Sequence, residues 1–161
     1  MPGAFAIRPY QPGDLEGVIA AFQSAVRVSG AHDYGPAQIR AWARVDRRRW
    51  RRLRLGRPTW VAVAGAAVAG FADLEPSGRL GMLYVHADHQ GRGVARALLA
   101  HIEAAARRRG IGLLFAESSL TARPFFARHG FRAVAPLRVS VRGQVFETLR
   151  MEKRLVRRHR P

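Results

Sequence analysis

Gln90-Gly91-Arg92-Gly93-Val94-Ala95 is the stretch on which the fold turns. It follows an apolar run at 80–85 and opens a segment in which Val94, Leu98, Leu99 and Ile102 share one helical face. A strand that passes through a glycine turn into a helix presents unsatisfied N–H groups at the positive end of the helix dipole. Two glycines let the main chain approach a ligand closely. Together these features make a phosphate or pyrophosphate cradle. The same two glycines also suit a tight strand-to-helix turn that binds nothing. Other phosphate motifs fit less well. A dinucleotide fingerprint needs glycine or alanine at position 96, which is Arg96, and the Gly-Lys-Ser/Thr ending of a Walker A loop is absent.

Outward from this loop, the hydrophobic period changes several times. Residues 5–9 alternate as a short strand, and Asp14 stands as a helix N-cap. Leu15, Val18, Ile19, Phe22 and Val26 then follow at helical spacing. A loop leads to Pro36, and Ile39, Trp42, Ala43, Trp50 and Leu53 mark a second helix, with arginine on its other faces. Strands are expected at 60–63, 68–74 and 80–85, with turns at Gly65 and at Pro76-Ser77-Gly78. After the central helix come a buried strand at 113–116, a short helix at 121–129 stopped by Gly130, and a hairpin turning at Arg142-Gly143. The order β-α-α-β-β-β-α-β-α-β-β implies an α/β domain with a mixed sheet. No repeat or composition shift divides the chain, so one domain is expected over 1–161, ending in a basic tail at 157–161.

The chain has 161 residues, a formal net charge of +17 and no cysteine. The missing cysteine excludes a disulfide framework, Cys-ligated zinc, an Fe–S cluster and a cysteine nucleophile. No apolar run approaches a membrane span, and the N-terminus lacks the pattern of a signal peptide. A cytoplasmic location is the expectation. The histidines and carboxylates show no metal-ligand spacing, so no metal is expected. The charge invites a nucleic-acid reading, as does the run 44–57 with eight arginines. However, no known nucleic-acid motif is present and the aromatics do not interleave with the basic run. Lys153 is the only lysine, a bias toward arginine that GC-rich coding produces by itself. Some of the charge is also suited to an anionic cofactor.

Gln90-x-x-Gly93-x-Ala95, after Leu83-Tyr84-Val85, resembles the acyl-CoA pyrophosphate motif of the GNAT acyltransferases, Gln/Arg-x-x-Gly-x-Gly/Ala. The segment from Ser119 to Phe131 is similar to that family's following helix and strand, and the segment from Ile7 to Asp14 to its opening strand and helix start. The element order agrees, so the resemblance covers nearly the whole chain. A narrower resemblance, to the YafP-like branch, rests on Tyr34, Gln38, Ala41-Trp42-Ala43, Asp46, Trp50 and the segment from Val139 to Gly143.

The resemblance implies a GNAT fold: a mixed, mostly antiparallel sheet whose central parallel strands, 80–85 and 113–117, splay apart, with flanking helices. It implies acetyl-CoA as co-substrate and a primary amine, on a small molecule or a protein, as acceptor. Leu83, Tyr84 and Val85 would line the pantetheine arm, and the Val85 N–H would face the thioester oxygen. Gln90, Gly91, Arg92, Gly93, Val94 and Ala95 would wrap the pyrophosphate. Ser119 stands where an asparagine is often found, and is equally suited to capping the next helix. The tyrosine that protonates the departing thiolate in many members falls at Phe126, which has no proton to give. Phe126 is expected to line the cleft and Phe125 to lie in the core. Asp73 and Glu75 share a strand face and are candidates for the base, as is Glu117. Tyr34 and Trp42 are candidates for the acceptor site. Members are often homodimers. A catalytically weak acyl-CoA-binding protein is a further reading, because the tyrosine is missing and the base is not fixed.

Overall fold

The computed structural model describes residues 4–156, so the tail expected at 157–161 lies outside the described residues. Its elements are β1 (Ala6–Pro9), α1 (Leu15–Ser24), α2 (Pro36–Ala43), α3 (Arg47–Gly56), β2 (Thr59–Ala64), β3 (Ala67–Asp73), β4 (Leu83–Val85), α4 (Val94–Arg108), β5 (Leu113–Ser118), α5 (Arg123–Arg128), β6 (Arg132–Val141) and β7 (Gln144–Arg154). The strands form two antiparallel sheets, ordered β1-β2-β3-β4 and β5-β7-β6.

One parallel bridge, Arg79 to Phe115, joins the two sheets. There the Leu80 N–H donates to the Phe115 carbonyl at 2.8 Å and the Phe115 N–H to the Gly78 carbonyl at 3.0 Å. Past this joint β4 and β5 belong to different sheets, and the space between them is the splay. The strand expected at 80–85 is therefore shorter than its apolar run. Only Leu83–Val85 forms a strand against β3, while residues 79–81 cross from one sheet to the other.

Each face is covered by an amphipathic helix. Val94, Leu98, Leu99 and Ile102 of α4 pack on Ala72, Leu114 and Met151. On the other face Val18 and Phe22 of α1 and Trp50 of α3 close over Val61 and Phe71. The single helix expected around Trp42 and Trp50 is two. Arg44 is extended (φ −69°, ψ 130°) and Asp46 restarts the turn, its side chain accepting from the Arg49 N–H at 3.2 Å. A sequence with apolar residues on both sides of the break kept its period, and the N-cap signal at Asp46 was the local sign of the interruption. The β6–β7 turn has positive φ at both Arg142 (46°) and Gly143 (79°), as a two-residue hairpin of matching twist requires.

At the start of α1, Asp14 accepts two bonds from the Arg8 guanidinium, at 2.7 and 2.9 Å. That hydrogen-bonded pair holds the Asp14 carboxyl below its usual range. A carboxyl depressed in the folded state stabilises the fold above its unfolded pKa and loses that contribution as pH falls through the folded one. Wild type is thus expected to lose more stability than Asp14→Asn between pH 5 and the acid range. Equal acid sensitivity of the two in pH-dependent thermal melts would contradict this.

Candidate active site

Antiparallel pairing decides which way the β4 main chain points. The Asp73 N–H donates to the Met82 carbonyl at 3.0 Å, and the His86 N–H to the Ala69 carbonyl at 2.8 Å. With Phe71 opposite Tyr84, residues 82, 84 and 86 turn their polar groups to β3. By alternation, Leu83 and Val85 turn theirs away from β3, into the splay. β4 is an edge strand of its sheet, so these groups face open cleft. Of these groups the Val85 carbonyl accepts a long bond from the Gln90 amide at 3.4 Å, and the N–H groups of Leu83 and Val85 are placed to pair with an extended ligand.

The loop after β4 continues this lining. Gly91 (φ 75°) and Gly93 (φ 81°) are left-handed, and a β-carbon at either would meet nothing within 4 Å. Glycine is required there by backbone conformation, not by crowding. Gly93 is the N-cap of the 15-residue α4, whose first turn opens on the cleft. The Gln90 amide donates to the Ser29 hydroxyl at 2.7 Å and tethers the loop to the segment after α1. That segment, Ala25–Ser29, is a π-helical turn, a rare form that often marks functional sites. Its Ala25, Val26 and Ser29 form part of the cleft wall, which nothing in the sequence period announced.

The resulting cleft holds about 630 Å³ and is bounded by Leu83, Tyr84, Val85, Gln90, Gly91, Gly93, Val94, Ala95, Ser119 and Phe126. Two arginines, Arg96 and Arg128, also line it, giving it a positive wall. Arg92 is exposed and is not among the lining residues. Val94 contributes its place at the helix start while its side chain is buried in the core.

A second cavity, of about 200 Å³, adjoins the first. Trp42, Leu83, Tyr84, Ser119, Ala122 and Phe126 line both. Tyr34 belongs to the second alone. Its hydroxyl donates to the Glu147 carbonyl at 3.2 Å and accepts from the Leu120 N–H at 3.0 Å, bolting the segment before α2 to both β7 and the turn after β5. Ser119 accepts from the Ala122 N–H at 3.1 Å, so it caps this turn while also facing the cleft. Of the two phenylalanines, Phe126 lies on the cleft wall as expected, and Phe125 departs from the core position expected of it. Phe126 is buried at 5% exposure yet forms part of both walls, whereas Phe125 is half-buried, lies against His129 and lines the larger cleft.

The two carboxylates first considered as bases stand elsewhere. Asp73 has no exposed side-chain surface. It pairs with the equally buried Arg54 at 2.9 Å and accepts from the Met82 N–H at 2.7 Å. Each of its oxygens is engaged, it is fully buried and it lines neither cavity, which corrects the reading of Asp73 as the base. Glu75 is held by Arg79 at 2.9 Å and Arg57 at 3.2 Å and also lines neither cavity. Glu117 does line the smaller one, with Arg79 at 3.4 Å as its partner.

Tyr84 packs among Phe22, Trp42 and Phe71. Burial pushes its phenol up to about 12, so it keeps its proton at neutral pH. Transfer of that proton to a thiolate of pKa ~8.5 would run uphill, so Tyr84 is a poor replacement for the absent acid. Among the described residues, no cluster of three or more His, Cys, Asp or Glu could hold a metal ion, and no helix is long and apolar enough to cross a membrane.

The chain is similar to known proteins in sequence and in fold. The acetyltransferase (GNAT) domain family matches residues 30–155. The N-acetyltransferase YafP of Escherichia coli K12, itself described as uncharacterized, is 37% identical over 145 residues, covering 90% of this chain and 93% of YafP. A crystal structure described as "GCN5-Related N-acetyltransferase: Aminotransferase, Class-II" from Rhodopseudomonas palustris superposes with a TM-score of 0.92 at 32% identity, covering 96% of this chain and 98% of that one. The PaiA N-acetyltransferase of Thermoplasma acidophilum, solved in complex with coenzyme A, shares the fold at a TM-score of 0.76 and 19% identity, covering 94% and 99%. With the splayed edge strand, the glycine loop and these matches together, the chain belongs to the GNAT acetyltransferase family and has its fold.

Proposed function

We propose that the chain is one acyltransferase domain that moves the acetyl group of acetyl-CoA to the nitrogen of a primary amine, by direct attack while both are bound. The observation that carries this reading is the β4 edge. Its main-chain N–H groups at Leu83 and Val85, turned away from β3, run into a helix N-terminus whose glycines leave the approach open, while the Val85 carbonyl takes a long bond from the Gln90 amide at 3.4 Å.

The residues present fit acetyl-CoA. A linear amide-bearing arm matches an unpaired strand edge, and a pyrophosphate matches the N–H groups from Gly91 to Ala95. Arg96 and Arg128 add positive charge beside them. Bound there, acetyl-CoA supplies an activated acetyl thioester. The Val85 N–H donates to the thioester oxygen as negative charge develops on it, and a single preorganised donor of this kind contributes roughly 3–4 kcal/mol. Ser119, at the junction of the two cavities, is placed to hydrogen-bond the end of the arm. Phe126 excludes water there without moving a proton. A CoA thiolate, with pKa ~8.5, leaves tolerably at neutral pH without a protein acid. With no cysteine in the chain, an acyl-cysteine route is closed and direct transfer is the simplest path.

The test is CoA release from acetyl-CoA across a broad amine panel. Turnover with at least one primary amine is expected. Failure both to bind acetyl-CoA and to release CoA with any amine would overturn the proposal.

A further inference from the structure

The smaller cavity has a chemistry of its own. Its wall is aromatic: Tyr34 lies 5.5 Å from Trp42 and 5.3 Å from Phe146, ring centre to ring centre, and Trp42 lies 6.4 Å from Tyr84. Against this apolar wall stand two charges of opposite sign, Arg79 and Glu117, 3.4 Å apart. The pair ends a chain of alternating charge that runs from buried Arg54 through Asp73, Arg57, Glu75 and Arg79 to Glu117. Three guanidinium groups and three carboxylates balance, so the cavity is locally neutral inside a strongly cationic protein.

Neither end member is saturated. Arg79 gives one N–H donor to Glu75 and one to Glu117, of the five that a guanidinium carries. Glu117 accepts only the long 3.4 Å bond. Thr148 is also among the residues lining this cavity, and its hydroxyl oxygen is buried without a hydrogen-bond partner. Native structures rarely leave such a group unpaired.

We infer that this cavity takes the acceptor as a small zwitterionic α-amino acid with an apolar side chain. The inference rests on the acetyl transfer proposed above and names its substrate class. The amino acid's ammonium meets Glu117 and its carboxylate meets the free donors of Arg79, a fork suited to carboxylates. Its apolar side chain lies against Trp42 and Phe146, and its carboxylate reaches the Thr148 hydroxyl. A ligand of zero net charge leaves the neutral network neutral. A volume of about 200 Å³ admits a small amino acid but not a folded chain.

Glu117 stands two residues before Ser119, at the junction with the cleft. It takes one proton from the ammonium and passes it to water. The freed nitrogen lone pair forms the C–N bond as the C–S bond breaks, with the bonding pair leaving on sulfur. The second proton shed by nitrogen goes to that sulfur, giving the thiol. Glu117 is thus a catalytic residue, and Arg79 a specificity-determining one.

The experiment compares CoA release with L-leucine, L-methionine and L-phenylalanine against L-leucinamide and the matching decarboxylated amines. Wild type is expected to prefer at least one amino acid over its carboxylate-free counterpart by tenfold or more in kcat/KM. Arg79→Met is expected to erase that preference by raising the amino-acid KM. Glu117→Gln is expected to lower kcat by roughly 10²-fold or more. In both variants the KM for acetyl-CoA stays unchanged, which also shows that they fold. If amines without a carboxylate are used equally well or better, this inference falls and acetyl transfer stands. An Arg79→Met enzyme that keeps the wild-type preference would also overturn it. If acetyl-CoA neither binds nor turns over, both readings fall.

Discussion

Asp73→Ala is expected to destabilise the protein by about 3–5 kcal/mol, the usual consequence of stranding one member of a buried ion pair. Asp73 and Arg54 have no exposed side-chain surface, and their 2.9 Å bond lies within the fold. Arg54 sits 5.8 Å from the Trp50 ring and 6.0 Å from the Phe71 ring, with Thr59 as its other side-chain partner at 3.5 Å. Its Nε is buried without a partner, so the guanidinium has little to fall back on. Removing Asp73 also leaves the Met82 N–H unpaired just before β4. For a chain of this length each kcal/mol lowers Tm by roughly 2–4 °C, so a drop of about 6–20 °C is expected. Replacing both partners with apolar residues (Arg54→Met with Asp73→Leu) should recover the part due to the stranded charge but not the part due to the Met82 N–H, which stays unpaired. A change below 1 kcal/mol in Asp73→Ala would contradict the account. So would a folded Asp73→Ala enzyme that binds acetyl-CoA normally but is inactive, since that result would restore Asp73 as a catalytic group.

Gly78→Ala should have the next largest effect, at least about 2 kcal/mol. Gly78 has φ of 93°, where an L-residue is strained. A β-carbon there would overlap the Leu113 carbonyl oxygen and lie 3.1 Å from Ile111 Cγ2. The position is also the joint between the sheets, since the Gly78 carbonyl takes the Phe115 N–H. Displacing it alters the angle at which β4 and β5 part, so the affinity for acetyl-CoA should fall along with stability. Gly65→Ala is the matched control. Gly65 is also left-handed (φ 61°), but nothing lies within 4 Å of its added carbon and it is far from the joint in sequence. Its cost should be near 1 kcal/mol, with no effect on binding. Equal losses for the two variants would show that steric contact at the joint does not matter.

These two positions mark where the sequence was legible and where it was not. Gly91 and Gly93 could be read directly, because a local backbone requirement and a strand-to-helix context lie within six residues. The amphipathic α4 was equally legible from its period. Arg54 was not. It stands in a run of eight arginines at 44–57 that reads as a solvated face, and its role depends on Asp73, 19 residues later and on another element. One signal was available: Arg54 lies four residues after Trp50, on the buried stripe of α3. Strand alternation correctly put Asp73 and Glu75 on one side, where both meet Arg57, but alternation alone does not say whether that side is open. The break at 44–46 escaped because apolar positions on both sides of it kept helical spacing. Arg79 drew no attention because pairing with Glu117 requires the joint between the two sheets, which only the tertiary fold provides.

The charge also separates into distinct uses. Arg54 is a core cation, Arg57 and Arg79 carry the network toward the smaller cavity, and Arg96 and Arg128 line the cleft. Arg48, Arg49, Arg51 and Arg52 are exposed on the far side of α3 and need no explanation beyond composition.

The central claim is that acetyl-CoA lies along the free edge of β4, and backbone amide hydrogen exchange at Leu83 and Val85 tests it most directly. Both amides should exchange readily in the free protein and gain protection at saturating acetyl-CoA, together with amides from Gly91 to Ala95. Unchanged exchange at Leu83 and Val85 in a protein shown to be saturated would contradict the account.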